Sequence, residues 1–140
     1  MTDIHPRLLQ DCVLLGRFKL CHLLVMQDAN YPWFILVPDR DGASEIYQLA
    51  EPDQMQLMKE SAILSRGLQK AFGGDKLNVA ALGNIVPQLH LHHVVRFRSD
   101  AAWPAPVWGK LPALPYETDQ LQGVIAKLKP LLDEHVEFCI

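Results

Sequence analysis

The chain has 140 residues, a formal net charge of -3 and a hydrophobic content of 49%, which fits one soluble domain that buries a core without disulfide help. The three cysteines, Cys12, Cys21 and Cys139, are too widely spaced for a disulfide framework or a metal-binding pair. The negative charge argues against a nucleic-acid-binding surface, no apolar run reaches the ~20 residues of a membrane helix, and the start lacks the blocks of a signal peptide, so we expect a cytoplasmic protein.

The first predicted elements are a helix and two strands. Apolar residues at near-helical spacing predict a helix over residues 6–15, with Gly16 as its end. The apolar runs at residues 21–26 and 33–38 predict strands, and residues 28–32 between them have turn composition. The second run is apolar throughout, which is typical of a central strand covered on both faces.

A long amphipathic helix is predicted next. Residues 52–72 carry an apolar stripe, begin with a proline in the first turn and end at Gly73-Gly74. Residues 77–82 and 88–97 then predict two more strands, separated by a turn at Gly83-Asn84. Mostly antiparallel strands with a long helix between the second and the third indicate an α+β fold.

The C-terminal part differs in composition. Residues 103–115 contain prolines at positions 104, 106, 112 and 115, which cannot all occupy central sheet positions. We therefore expect an extended surface connection there. A last helix is predicted over residues 119–134, with Pro130 as a kink or interruption.

The most informative stretch is residues 86–96, where imidazoles alternate with leucines. In an extended strand Gln88, His90 and His92 share one face, and the leucines between them back that face. Imidazole can act as a nucleophile or a proton donor near physiological pH. Such a row suits phosphoryl or nucleotidyl transfer, in which one imidazole attacks phosphorus and a neighbour bonds to the phosphate oxygens.

The same histidines have two other interpretations. They could bind a metal, but zinc sites usually have three or four ligands and catalytic iron commonly adds a carboxylate. After His92 no carboxylate occurs before Asp100, and Arg96 disfavours a cation. They could also be ordinary strand residues without chemistry.

Residues 86–96 resemble the signature of the histidine triad family, His-φ-His-φ-His-φ-φ with φ hydrophobic, which usually follows Gly-Gln-x-Val-Pro and precedes Pro-Arg. The residues that match this pattern directly are Gly83, Val86, Pro87, His90, His92 and Arg96. Asn84 stands where the family usually has Gln, and Gln88 stands where it has the first His. Residues 33–38 are similar to the family's long core strand, and residues 103–109 resemble a bacterial branch.

The resemblance covers residues 20–109 and implies a single domain of this type over residues 1–140, with residues 110–140 as a C-terminal extension. It implies a sheet of about five antiparallel strands packed with helices, and a homodimer. It also implies a nucleotide as the substrate, without a metal or another cofactor.

The resemblance also implies roles for individual residues. His90 matches the family's nucleophile, which attacks the α-phosphorus of dinucleoside polyphosphates or nucleoside phosphoramidates and forms a covalent nucleotidyl-histidine. His92 matches the histidine that contacts the phosphate and the leaving group. Gln88 would support the nucleophile by hydrogen bonding, Asn84 would donate to phosphate oxygens, and Asp28 would bind the ribose hydroxyls.

Gln88 cannot titrate, so an alternative is a nucleotide-binding or regulatory protein with weakened chemistry. A metal-binding protein that uses His90, His92 and a further ligand is a third hypothesis. His93 points to the opposite face and is predicted to be structural. Trp103 and Trp108 are predicted either to cover a base or a partner subunit, or to pack in the core.

Overall fold

The computed structural model describes residues 3–140, whose strands form a six-stranded antiparallel sheet. The elements are α1 (Pro6–Asp11), β1 (Cys12–Arg17), β2 (Cys21–Met26), β3 (Trp33–Pro38), α2 (Glu51–Phe72), β4 (Lys76–Ala80), β5 (Leu91–Arg96), α3 (Thr118–Leu132) and β6 (Glu137–Phe138), with a 3₁₀ turn at Ile46–Gln48. The strand order is β4-β5-β3-β2-β1-β6. The predicted α+β class is confirmed, with six strands rather than about five.

The N-terminal helix is shorter than the predicted one over residues 6–15. It ends at Asp11, and the apolar residues that follow form β1 and pair with β2. Strand pairing thus overrides a spacing that also suits a helix. Gly16 lies inside β1 and does not end a helix; a Cβ there would approach the Cα of Phe138 to 2.8 Å, so only glycine admits β6 at this edge.

The other elements lie close to their predicted positions, with one difference that concerns the motif. β5 begins at Leu91, so Gln88 and His90 precede the strand. The prediction that Gln88, His90 and His92 form one row along a strand is therefore wrong. Residues 103–115 contain turns but no helix or strand, as expected of a connection. No helix within residues 3–140 has the length and apolar character needed to cross a membrane.

The two faces of the sheet carry different layers. α2 and α3 cover one face and form the main core. Its largest side chains include Leu23, Phe34, Leu36, Leu57, Leu64, Leu68, Leu128 and Leu132. The other face carries a smaller cluster around Leu8, Leu24, Ile35, Val37, Val94 and Val107. Alternation along β5 thus sends successive side chains into two separate environments.

A buried carboxylate joins α2 to the sheet. Glu60 accepts hydrogen bonds from the main-chain N–H groups of Leu20 and Cys21, both at 2.9 Å, and from Nε2 of Gln56 at 2.7 Å. Hydrogen bonds to an ionised group are about twice as strong as neutral ones. Glu60 therefore fixes the long helix at the start of β2.

His93 lies on the α2 face and is fully buried. Its Nε2 lies 2.7 Å from Oγ of Ser61, and its Nδ1 lies 3.1 Å from the main-chain oxygen of Leu91. Burial disfavours the charged imidazolium and lowers the pKa of His93 to about 4, although the hydrogen bond to Leu91 acts in the opposite direction. The contacts match the structural placement predicted for this residue.

We expect acidification to destabilise the protein through His93. The unfolded state takes up a proton near the ordinary histidine pKa of ~6.5, whereas the folded state resists protonation down to about pH 4. The free energy of unfolding should therefore fall as the pH drops from about 6.5 towards 4. Urea titrations at pH 8 and pH 5 measure the difference, and His93→Gln, which does not titrate, should show a smaller one. Equal differences in the two proteins would exclude His93 as the cause.

Candidate active site

The segment before β5 is anchored on both sides of the sheet. Gly83 has φ of 80°, a left-handed conformation that favours glycine, and it turns the chain towards the motif. Val86 then packs into the smaller cluster, and Leu89 packs into the main core. His90 follows directly, so its main chain is held by apolar contacts on two faces.

His90 and His92 lie side by side on the face opposite α2. Their ring centroids are 4.9 Å apart and the planes meet at 68°. Both residues are buried, with exposures of 6% and 5%. The structure therefore brings together the two imidazoles that the sequence singled out.

A main-chain carbonyl determines which nitrogen of His90 carries a proton. Nδ1 of His90 lies 2.7 Å from the main-chain oxygen of Gln88. A carbonyl oxygen only accepts hydrogen bonds, so Nδ1 must donate. In the neutral ring the lone pair is then on Nε2, which is the nitrogen available for attack on an electrophile.

Trp33 determines the opposite arrangement in His92. Nε1 of the Trp33 indole donates to Nδ1 of His92 at 3.0 Å. Indole N–H is a donor only, so Nδ1 of His92 must accept and its proton is on Nε2. Burial, followed by the nearby His90 and His93, lowers the pKa of His92 to about 3. His92 is therefore neutral at physiological pH and has an Nε2–H to donate.

Both histidines line a pocket of about 630 Å³. Its walls come from α1, the end of β2, the turn at Gly83 and the segment that follows β5. The charged residues among its lining are Arg7, Asp11 and Asp28, and Arg7 pairs with Asp11 at 3.1 Å. Within residues 3–140 no three His, Cys, Asp or Glu side chains are grouped so that they could hold a metal ion.

Asn84 and Asp28, the two predicted substrate-binding residues, both line this pocket. Asn84 is exposed on the turn. Asp28 is 4% exposed, and its Oδ1 accepts hydrogen bonds from the main-chain N–H groups of Asn30 at 3.0 Å and Leu114 at 3.3 Å, and from Nδ2 of Asn30 at 2.8 Å. The Asp28 carboxylate therefore shapes the turn after β2 and is also part of the pocket wall.

Gln88 is placed differently from the other predicted residues. It is half-buried, and its side chain bonds to the N-terminal segment instead of lining the pocket. Its contact with the nucleophile candidate is made by the main chain, through the carbonyl that meets Nδ1 of His90.

Trp108 packs against His92 in the pocket. Its ring centroid lies 5.3 Å from that of His92 and 6.0 Å from that of Trp33. We call residues 102–114, to which Trp108 belongs, the roof segment. Trp103, at the other position left open by the sequence, stacks on the Arg96 guanidinium with 5.5 Å between Cζ and the ring centroid. Trp108 thus lines the pocket and Trp103 packs against a charge.

The roof segment is anchored at both ends. At its start, Oδ1 of Asp100 accepts from the main-chain N–H groups of Ala102 at 3.1 Å and Trp103 at 2.8 Å, and Arg96 bonds to both oxygens of the same carboxylate at 2.9 and 3.0 Å. At its end, Leu114 accepts from the Ala29 N–H at 2.6 Å. A bidentate arginine–carboxylate pair is geometrically specific, so the buried Arg96 holds Trp108 in place indirectly.

Sequence reasoning missed Trp33 and the α1 wall. Trp33 begins the apolar run that predicts a strand over residues 33–38, and only its donor-only indole distinguishes it from the other apolar residues there. Arg7 and Asp11 belong to a short helix that has no motif. No local sequence pattern links Trp33 or α1 with the motif more than 50 positions away, because the sheet brings these residues together.

A comparison with family models matches the HIT domain over residues 7–99. The chain belongs to the HIT domain family. This HIT protein is similar to the crystal structure of a histidine triad protein from Marinobacter aquaeolei, with 53% identity, a TM-score of 0.93 and coverage of 96% of this chain and 98% of that one. A comparison with curated proteins gives no match.

Two further crystal structures of histidine triad proteins are similar to this HIT protein. The one from Bradyrhizobium japonicum is 47% identical, with a TM-score of 0.90 and coverage of 91% of this chain and 96% of that one. The one from Sinorhizobium meliloti is 38% identical, with a TM-score of 0.90 and coverage of 93% and 96%. The family that residues 86–96 resembled is therefore confirmed, and HIT membership places this chain in a superfamily of nucleotide-binding proteins and hydrolases.

We expect Trp33→Phe to let His92 populate both neutral tautomers. Without the indole N–H, Nδ1 of His92 loses its donor and the Nδ1–H form becomes populated, since a neutral imidazole exchanges its proton between the two nitrogens. Nitrogen chemical shifts of the ring, measured by NMR at pH 7, report the tautomer directly. Trp103→Phe, which removes an indole that contacts Arg96 instead of His92, is the control. An unchanged His92 tautomer in Trp33→Phe would contradict the assignment.

Proposed function

We propose that this HIT protein is a nucleotide hydrolase or transferase that cleaves at the α-phosphate through a covalent nucleotidyl-histidine. The observation that carries the proposal is the pair of opposite tautomers at the pocket. Nε2 of His90 carries the lone pair, and Nε2 of His92 is a hydrogen-bond donor. The centroids of the two rings are 4.9 Å apart. One ring can attack while its neighbour stabilises the charge that develops.

In the first step Nε2 of His90 attacks the α-phosphorus. A P–N bond forms, the bond from phosphorus to the leaving group breaks, and the bonding pair departs with that group, which takes up a proton from the solvent. The imidazole becomes positively charged, and the Gln88 carbonyl at 2.7 Å from Nδ1 stabilises this charge without taking the proton. His92 donates its Nε2–H to an oxygen of the phosphate or to the atom that leaves.

In the second step water attacks the same phosphorus and breaks the P–N bond, which returns the lone pair to Nε2 of His90. The proton that the water loses passes to the solvent. The products are a nucleoside monophosphate and the free enzyme. Another nucleophile in place of water gives the transferase reaction. Asn84 would donate to the phosphate oxygens and Asp28 would bind the ribose hydroxyls, as the resemblance implies.

The charged residues that line the pocket affect which leaving group it favours. Arg7 is the one Lys or Arg among its lining residues, and Asp11 already pairs with it. A chain of four phosphates brings several negative charges, for which this lining has little compensation. We therefore infer that nucleoside phosphoramidates are better substrates than dinucleoside polyphosphates.

The second candidate function is nucleotide binding with weak or no turnover. It is favoured by Gln88, which places no third imidazole at the pocket. Gln88 and the Trp-rich roof segment are also the features that would assign the chain to a bacterial branch of the family.

We expect His90→Ala to abolish the release of AMP from adenosine phosphoramidate. Removing the nucleophile should lower kcat by at least about 1,000-fold. The wild type and the variant are both assayed without added metal. Chromatography of the nucleotides measures the release, with diadenosine tetraphosphate as the second substrate. His135→Ala, which changes an exposed histidine outside this pocket, is the control. AMP binding without release by the wild type would favour the second candidate, and equal release by both proteins would exclude His90 as the nucleophile.

We also propose a homodimer. β4 is the outer strand of the sheet next to β5, and an uncovered strand edge invites pairing with another chain. Val79 on β4 is 46% exposed, and Met55 and Met58 on α2 are 68% and 52% exposed. Apolar surface of this kind suits an interface.

We expect light scattering during size-exclusion chromatography to give twice the mass of one chain, which is 15.8 kDa. Val79→Lys, which places a charge on the strand edge, and Met58→Glu, which places one on the helix, test the two surfaces separately. A monomeric wild type at micromolar concentration would refute the dimer, and a shift to monomer in one variant identifies the interface.

A further inference from the structure

The side chain of Gln88 makes two hydrogen bonds to main-chain groups near the N-terminus. Oε1 accepts from the N–H of His5 at 2.7 Å, and Nε2 donates to the oxygen of Asp3 at 2.9 Å. A carboxamide carries its acceptor and its donor side by side, as a peptide unit does when it pairs with a strand. Gln88 therefore binds residues 3–5 in the way a neighbouring strand would.

This contact determines where α1 begins. The main chain of His5 is held by Gln88, and Nδ1 of its side chain accepts from the N–H of Arg7 at 3.0 Å, which caps the helix. At the other end of α1, the oxygen of Asp11 accepts from the Gln27 N–H at 2.9 Å. A helix of six residues is not stable by itself, so these contacts and the buried Leu8 hold it.

α1 is one wall of the pocket and carries three of the side chains that matter there. Arg7, Leu8 and Asp11 all line the pocket beside the end of β2. The Gln27–Asp11 contact places this wall next to Asp28, which follows Gln27 directly. The wall therefore stands at the same end of the pocket as the residue assigned to the ribose.

We propose that Gln88 is a positioning residue that fixes the α1 wall for ligand binding through its side chain, while its main-chain carbonyl separately orients His90. The proposal rests on the proposed nucleotide function for the identity of the ligand. The two contacts come from different parts of one residue, so substitution removes the first and leaves the second.

A histidine at this position cannot replace the amide. The imidazole nitrogens point away from each other across the ring, so one ring does not reach the Asp3 oxygen and the His5 N–H together. A glutamate keeps the acceptor for His5 but places a carboxylate oxygen against the oxygen of Asp3, and a methionine removes both hydrogen bonds at similar size. We expect the carbonyl of residue 88 to keep its contact with Nδ1 of His90 in all three variants, because the buried Val86 and Leu89 hold the main chain on either side.

The test compares wild type with Gln88→Glu, Gln88→Met and Gln88→His. Hydrogen exchange of residues 3–11, and of the His5 amide by NMR, reports the wall directly, and calorimetry with AMP reports binding without turnover. We expect faster exchange over residues 3–11 in each variant and a Kd for AMP that rises roughly 5- to 30-fold, the range for one to two net hydrogen bonds. With adenosine phosphoramidate, KM should rise by the same factor while kcat stays within about threefold.

The matched control is Gln122→Glu, the same chemical change at an exposed position of α3, which should alter none of these quantities. Unchanged exchange over residues 3–11 or unchanged AMP affinity would overturn the proposal, as would a fall in kcat at constant KM. A gain in kcat for Gln88→His, which the family pattern alone predicts, would overturn it too. Failure of the wild type to bind AMP or to turn over would refute the nucleotide function instead, and the exchange data would still decide whether Gln88 holds the wall.

Discussion

The register between β3 and β5 is the constraint on which the site depends. Ile35 lies opposite His92 and Trp33 lies opposite Val94, so the Trp33 indole and the His92 imidazole fall on one face as diagonal neighbours. A shift by one residue would send His92 towards α2 and His93 towards the pocket. The long apolar run of β3 and the packing of both faces hold this register, and the hydrogen bond that orients His92 follows from it.

Burial and hydrogen bonding act together on the two rings of the pocket. A buried imidazole is costly to charge, so His92 stays neutral, and a neutral ring has one donor and one acceptor. The partners then decide which nitrogen has which role: a carbonyl for His90 and an indole for His92. The roof segment contributes to the burial of His92, because the Trp108 ring packs against it with 5.3 Å between the centroids.

Most of the strands and helices and four of the site residues could be predicted from the sequence. The features that could not be predicted depend on contacts between residues that are distant in the chain. The strands at residues 21–26 and 33–38 and the helix ending at Gly73 have local causes, namely apolar runs and a glycine with φ of 62°. His90, His92, Asn84 and Asp28 were found by pattern and resemblance, and all four line one pocket. Residues 12–17 form a strand instead of continuing the helix because they pair with β2 and β6. The spacing of apolar residues does not encode this pairing. The partner of Gln88 lies 83 residues away, so no motif could have indicated it.

The carbonyl that orients His90 belongs to the peptide backbone, and it is the same in every residue type. The orientation of the His90 ring is therefore independent of the side chain at position 88, provided that the backbone keeps its path between Val86 and Leu91. That side chain instead bonds to residues 3–5, away from the His90 ring. In a motif named for three histidines, the side chain at the first position can change while a main-chain contact still orients the ring of the second.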